Sequence, residues 1–420
     1  MSKRPFFKMG IIVVVLFFLY IVSFFHIKVL PMAFWATGFK LQLPFYAAII
    51  YTAISTKEYQ RMMYKRLFKL YVFFIVLNFF TCYFYRGQSI FVSYNAWFPM
   101  LFFFLYPFFK CFKMSARDWE KVLFILFVII LLCYSLQYIF IHIQLFILDT
   151  TFERLDAETR VRIFSDAILI LGAFFSLNKF LCGQKKYIVF YIWASLIIFL
   201  QNFRMIMLMY SVVSVYMYIK VVGFNRKMWI AIPFVILLLF FFSKQTFVQE
   251  KMEELEYRSQ SQSLDNSDYV RVLCFDHYMN YHFKSNWERF WGSGRTSNIT
   301  VPSMLKDAPS NYSKYISEIG LLYHWYAYDW GLIGLSWEAG IPFMLVFIWL
   351  IISIIRAKVE KSYLYIGLWE FYLLLIGVTN EQIFYHNNIV YQALVLVILD
   401  KVRIDKKENM IRLKIRRKDM

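Results

Sequence analysis

The residues best suited to chemistry in this 420-residue sequence are arginines set in short polar stretches. Arg160 and Arg162 stand in "ETRVRIFSD", Arg204 in "QNFRMIMLMYS", Arg271 in "SDYVRVLCFDH", and Arg289 and Arg295 in "NWERFWGSGRTSN". A guanidinium is planar, permanently charged and forked, so it grips phosphate through two bonds at once. Phosphate or diphosphate is therefore the ligand class these residues fit. A second reading stands beside it: the same side chains can anchor at a membrane surface or pair with Glu153, Asp156 and Glu158. Arg204 is the sharper case, because it opens an apolar run, where a charge is costly unless paired or functional. Gly292 and Gly294 bracket a turn whose backbone N–H groups can cradle an anion; a plain loop also explains them.

Proton transfer calls for other residue types. His324 and Asp329 lie together in "YHWYAYDW", and either can serve as a general base. An interfacial aromatic belt accounts for the Tyr and Trp of the same stretch. His277 and His282 are five apart with no third ligand at a useful distance, and the five cysteines form no CxxC or Cys/His cluster. Neither metal nor cofactor is implied. The sequence also lacks a D-x-D element, a Walker A loop and a Rossmann fingerprint, which argues against a cytoplasmic nucleotide-using site.

These residues must be held by a framework, and composition sets its class. The chain is 60% hydrophobic and only 17% charged, with mean hydropathy +0.52. Apolar runs of roughly 17–25 residues recur, enough to cross a hydrocarbon core as helices. In lipid every backbone polar group must be paired within its segment, so the expected fold is an all-α polytopic bundle. Twelve spans are expected, near residues 10–30, 40–56, 67–85, 91–110, 122–147, 163–180, 187–202, 204–220, 228–243, 330–355, 362–379 and 386–400. The first is too long for a secretory signal and lacks a small-residue cleavage site.

Charge orients the bundle. With the N-terminus in the cytoplasm, every short loop obeys the positive-inside bias, and the tail "KVRIDKKENMIRLKIRRK" returns to anionic lipid. The net charge of +19 follows from this bias, so no nucleic-acid partner is implied. Four parts result: residues 1–242 with spans one to nine, an outward loop at 243–329, spans ten to twelve at 330–400, and the basic tail at 401–420. Within the loop, Val272, Phe275 and Met279, and likewise Tyr278, Tyr281 and His282, repeat at helical spacing, which predicts one helix ending near Asn286. The spans hold almost no Asp or Glu and no paired Gly/Pro breaks, which weakens a transporter reading.

Over about residues 150–355 these features resemble the O-antigen polymerase and ligase superfamily. "ETRVRIFSDAILILGAFF" is similar to the family's Arg-bearing loop before a span, and "QNFRMIMLMYS" to the segment where Arg starts a span. "SDYVRVLCFDHYMNYHFKSNWERFWGSG" is similar to the loop block that begins with Arg and ends in an aromatic-Gly-x-Gly turn. "DWGLIGLSWEAGIPFML" resembles the closing block, with Glu338, Gly340 and Ile341 as its Glu-x-Gly-Ile element. The ligase branch usually places His eleven positions before that Gly; Asp329 stands there, which favours the polymerase branch.

The resemblance implies a glycosyltransferase of the bacterial inner membrane that joins oligosaccharide repeat units carried on polyprenyl diphosphate. It implies Arg204 and Arg271 on the diphosphate, with Arg160, Arg162, Arg289, Arg295 and the Gly292–Gly294 turn as further contacts. Asp329, then His324, would take the acceptor proton in a single inverting, metal-independent displacement. Membrane lipid and a chain-length regulator protein are the partners such an enzyme would have. A ligase moving glycan to lipid A core or protein, and a flippase for the same lipid-linked glycan, are the alternatives.

Overall fold

A computed structural model describes residues 10–28, 39–140, 143, 145–146, 163, 167–201, 203–223, 275, 278–295, 330–378 and 386–416. Every regular element among them is helical; the one β-bridge, Ile27 with Phe146, is isolated. The first helices are α1 (Ile11–Ile21), α2 (Phe39–Ser55) and α3 (Lys65–Arg86). α4 (Ile90–Leu101) runs through a 3₁₀ turn at Phe102–Phe104 into α5 (Leu105–Lys110). Then come α6 (Ala116–Ile139), α7 (Ala167–Leu181), α8 (Tyr187–Leu200), α9 (Arg204–Val222) and the short α10 (Asn286–Trp291). The last four are α11 (Gly331–Ala339), α12 (Ile341–Ile355), α13 (Leu364–Gly377) and α14 (His386–Arg416).

Among the described residues four helical stretches are long and apolar enough to cross a membrane: Lys65–Arg86, Ile90–Lys110, Ala116–Ile139 and Met205–Val222. Shorter apolar helices occupy other predicted spans, and the expected span at 228–243 lies outside the described residues. The expected helical character is thus met, and four of the twelve expected spans are matched by helices of full spanning length among the described residues. Polar residues punctuate the apolar runs. Ser115 caps α6 reciprocally with Asp118, and Ser89 accepts from Val92 N–H to start α4. Gly87 ends α3 in the left-handed region at φ 63°.

Several expected spans differ in form: that at 10–30 leaves the α-helix after Ile21 for a 3₁₀ turn at Ser23–His26, that at 122–147 ends at Ile139, and that at 330–355 is interrupted. Residues 330–355 do not make a single helix; they break at Gly340, which sits at φ 88° and ψ 157°. Gly340 ends α11, and Pro342 enters the first turn of α12, where its missing N–H costs nothing.

Two helices form the centre. α7 is buried on all faces from Ala167 to Lys179, and α14 from Ile389 to Leu399. A helix apolar all round must be enclosed by others, and α7 packs against α6, α8, α9, α13 and α14. Described segments read as inside loops, around residues 61, 110–121, 178–179, 361 and 400–401, meet at one end of the bundle. There Lys110 and Asp400 pair at 2.8 Å, Tyr106 donates to Asp400 at 2.5 Å, and Lys401 donates to the Phe112 carbonyl at 3.0 Å. Lys179 meets Glu120 at 2.7 Å, and Asn178 donates to the Lys361 carbonyl.

Candidate functional site

The other end of the bundle carries a second polar assembly, built where residues 278–295 dock onto α3 and the α11–α12 break. Docking begins with a π-helical turn at Tyr278–His282, not with the continuous helix expected up to Asn286. Ser285 then caps α10 by accepting from Glu288 N–H at 3.1 Å, and the Glu288 carboxylate reaches back to Lys284 N–H at 2.7 Å. The signal was present as Ser285-x-x-Glu288, a capping pattern.

Glu288 does more than cap. Its carboxylate forms an ion pair with Arg86 at the end of α3; the side chains are 0% and 5% exposed. The Arg86 guanidinium also donates to the His282 carbonyl at 2.7 Å. Two buried charges thus clamp the segment to the bundle. The His282 ring bonds Ser293 Oγ through its Nε2 at 2.7 Å. Tyr278 stacks on Trp337 at 4.6 Å and leans on His282 at 4.3 Å. Ser293 and His282 do not make an accessible nucleophile–base pair: both are buried, and Ser293 Oγ also lies 3.3 Å from the Trp337 carbonyl. Among the described residues no group of three His, Cys, Asp or Glu side chains is placed to hold a metal.

The Gly292–Gly294 turn differs from its expected role. Ser293 N–H donates to the Trp337 carbonyl at 3.0 Å, Gly294 N–H to the Glu338 carbonyl at 2.9 Å, and Gly292 N–H to the Glu288 carbonyl at 2.8 Å. With these donors committed, the turn is not an anion cradle. The glycines serve close approach instead. A Cβ on Gly292 would sit 2.3 Å from Gly340 N, and one on Gly294 would sit 2.2 Å from Cys82 Cβ. Both glycines also hold positive φ, 84° and 86°.

Asn78 of α3 joins the parts. It donates to the Glu338 carbonyl at 2.9 Å and accepts from Arg295 N–H at 3.2 Å. Gln88 donates to the Arg295 carbonyl at 3.1 Å. The Arg295 side chain lies 3.7 Å from Glu338, a charge contact across the two segments. Arg289 is exposed; it donates to the Met279 carbonyl at 2.7 Å and lies over the Phe283 ring. Both contacts fall within its own segment and brace it locally.

Arg204 opens α9, and its side chain lies outside what is described. Arg160, Arg162, Arg271, His324 and Asp329 also fall outside the described residues. Of the expected arginines, Arg289 and Arg295 are brought to one end of the bundle, and only Arg295 contacts Glu338. Sequence reasoning passed over Glu288 and Asn78. Asn78 left a trace, as an amide inside an apolar run.

The class these observations define is an all-helical protein whose described helices include several long and apolar enough to span a membrane. Comparison with models of protein families finds no match, and neither does comparison with curated proteins.

Proposed function

We propose that this protein is a membrane glycosyltransferase that polymerises oligosaccharide units carried on polyprenyl diphosphate, at the extracytoplasmic face of a bacterial inner membrane. One observation supports the reading most. The aromatic-Gly-x-Gly turn and the Glu-x-Gly-Ile element, on which the resemblance rests, bond to each other directly: Ser293 and Gly294 N–H to the carbonyls of Trp337 and Glu338. Two motifs distant in sequence are thus in direct contact, as parts of one site would be. Charge supports the orientation, because described basic loops meet at the opposite end and basic loops face the cytoplasm.

In this proposal the donor diphosphate is already a good leaving group, and catalysis stabilises its growing negative charge. Preorganised guanidinium groups suit that task in a partly dry site. Arg204 and Arg271 take that role, with Arg160, Arg162 and Arg295 as further contacts; Glu338 holds Arg295 in position. Asp329, or His324 five residues before it, accepts the proton of the acceptor hydroxyl. The new glycosidic bond forms as the bond to the diphosphate breaks, which inverts the anomeric centre.

The test is complementation of polymerase-deficient cells with Arg204→Ala, Arg271→Ala, Asp329→Ala and Arg295→Ala, read as glycan ladders with membrane levels matched. Loss of long glycan with single repeats still attached is expected. Wild-type ladders from both Arg204→Ala and Arg271→Ala would remove the proposed clamp, and long unattached glycan would instead indicate a ligase.

A further inference from the structure

α10 carries its polarity inside out. Its acid, Glu288, is buried against Arg86, whereas Trp287 is 68% exposed and Phe290 is exposed beside it. At helical spacing Phe290, Trp287 and Trp291 fall within one arc of about 100°, and Arg289 falls on the opposite side. Water gives no reason for this pattern, because it leaves two large rings solvated and hides a carboxylate.

The surface beside α10 supplies the reason. α10 packs against α3, which exposes Phe73, Val76, Phe80, Tyr83 and Phe84. Their spacing of three and four places them on one face. Phe84, at 76% exposure, lies near the end that Arg86 occupies. By length and composition α3 can cross a membrane, so this stripe faces acyl chains. The rings of α10 continue that apolar surface.

We infer that α10 is an in-plane membrane-interface helix, with Trp287 and Phe290 seated at the headgroup–acyl boundary of the leaflet at the Arg86 end. Tryptophan suits this position because its ring body is apolar while its N–H stays wet. Arg289 then lies on the aqueous side. Residues 278–295 are thus held twice, by the Arg86–Glu288 pair to the bundle and by the two rings to lipid. This inference rests on the membrane reading and is independent of the glycan chemistry.

The test uses the full chain in phosphatidylcholine vesicles containing lipid brominated near the carbonyl end of the acyl chain. The emission difference between wild type and Trp287→Phe isolates one indole among the twelve. Loss of that component with brominated lipid, and its retention with aqueous iodide, is expected. Quenching by iodide instead, or by neither agent, overturns the inference. Phe84→Trp in the Trp287→Phe background separates the two levels. If the indole it adds is quenched by brominated lipid and Trp287 is not, the docking of α10 fails alone. If neither is quenched, the membrane placement of α3 fails with it.

Discussion

Glu288→Gln removes one charge from a pair whose side chains are 0% and 5% exposed. Arg86 would then keep the His282 carbonyl but lose its counter-charge in a site closed to water. Removing one partner of a buried pair costs about 3–5 kcal/mol, because the remaining charge stays desolvated. The cost falls on docking of residues 278–295, since α3 itself is held by its own helical bonds. At 1.4 kcal/mol per tenfold, the open population should rise by roughly a hundredfold to a few thousandfold. Cys82 reports that opening, because it is 0% exposed and Gly294 lies directly over it. The assay is maleimide labelling of the native protein, resolved by peptide mass spectrometry, with buried Cys133 of α6 as internal control. Cys82 should label much faster in Glu288→Gln while Cys133 does not change. Arg86→Met combined with Glu288→Leu should return most of the protection, because an apolar pair leaves no stranded charge. Wild-type labelling of Cys82 in Glu288→Gln, or equal acceleration of Cys133, would refute the idea of a local electrostatic clamp.

Other perturbations test separate contacts. Gly294→Ala places a methyl 2.2 Å from Cys82 Cβ at a positive φ, so it should destabilise docking by about 1–3 kcal/mol and expose Cys82 to the same reagent. Gly172→Ala would put a Cβ 2.1 Å from the Phe127 ring where α7 crosses α6; a lowered thermal midpoint in detergent, with unchanged Cys82 protection, is expected. Asp400→Asn strands Lys110, which is 0% exposed, and should cost about 3–5 kcal/mol of bundle stability in a denaturant titration. Lys110→Met with Asp400→Leu should recover most of that loss, although Tyr106 and Met63 N–H would still lack their acceptor.

Much of the framework was legible because its causes are local. The run from Lys65 to Arg86 is apolar and ends before a glycine, so its helix and its boundary follow from neighbouring residues. Ser115 and Asp118 announce the start of α6 in the same way. The break at Gly340 was also written locally, in Gly340 followed by Pro342, yet hydropathy passes smoothly over it and hid it. The role of the Gly292–Gly294 turn was not legible. The same residues could cradle an anion or approach another backbone, and only the carbonyls of Trp337 and Glu338 decide between these.

The sequence by itself determined the helical class, the apolar segments, many of their ends and the separation of basic loops from the remainder. Each depends on hydrogen bonds a few residues apart or on the average polarity of a run. Tertiary structure alone decided that Arg86 neutralises Glu288, that Asn78 ties Glu338 to Arg295, and that Glu288 rather than an aromatic ring turns inward on α10. Such pairings join distant segments, and a buried charge finds its partner only after packing has excluded water.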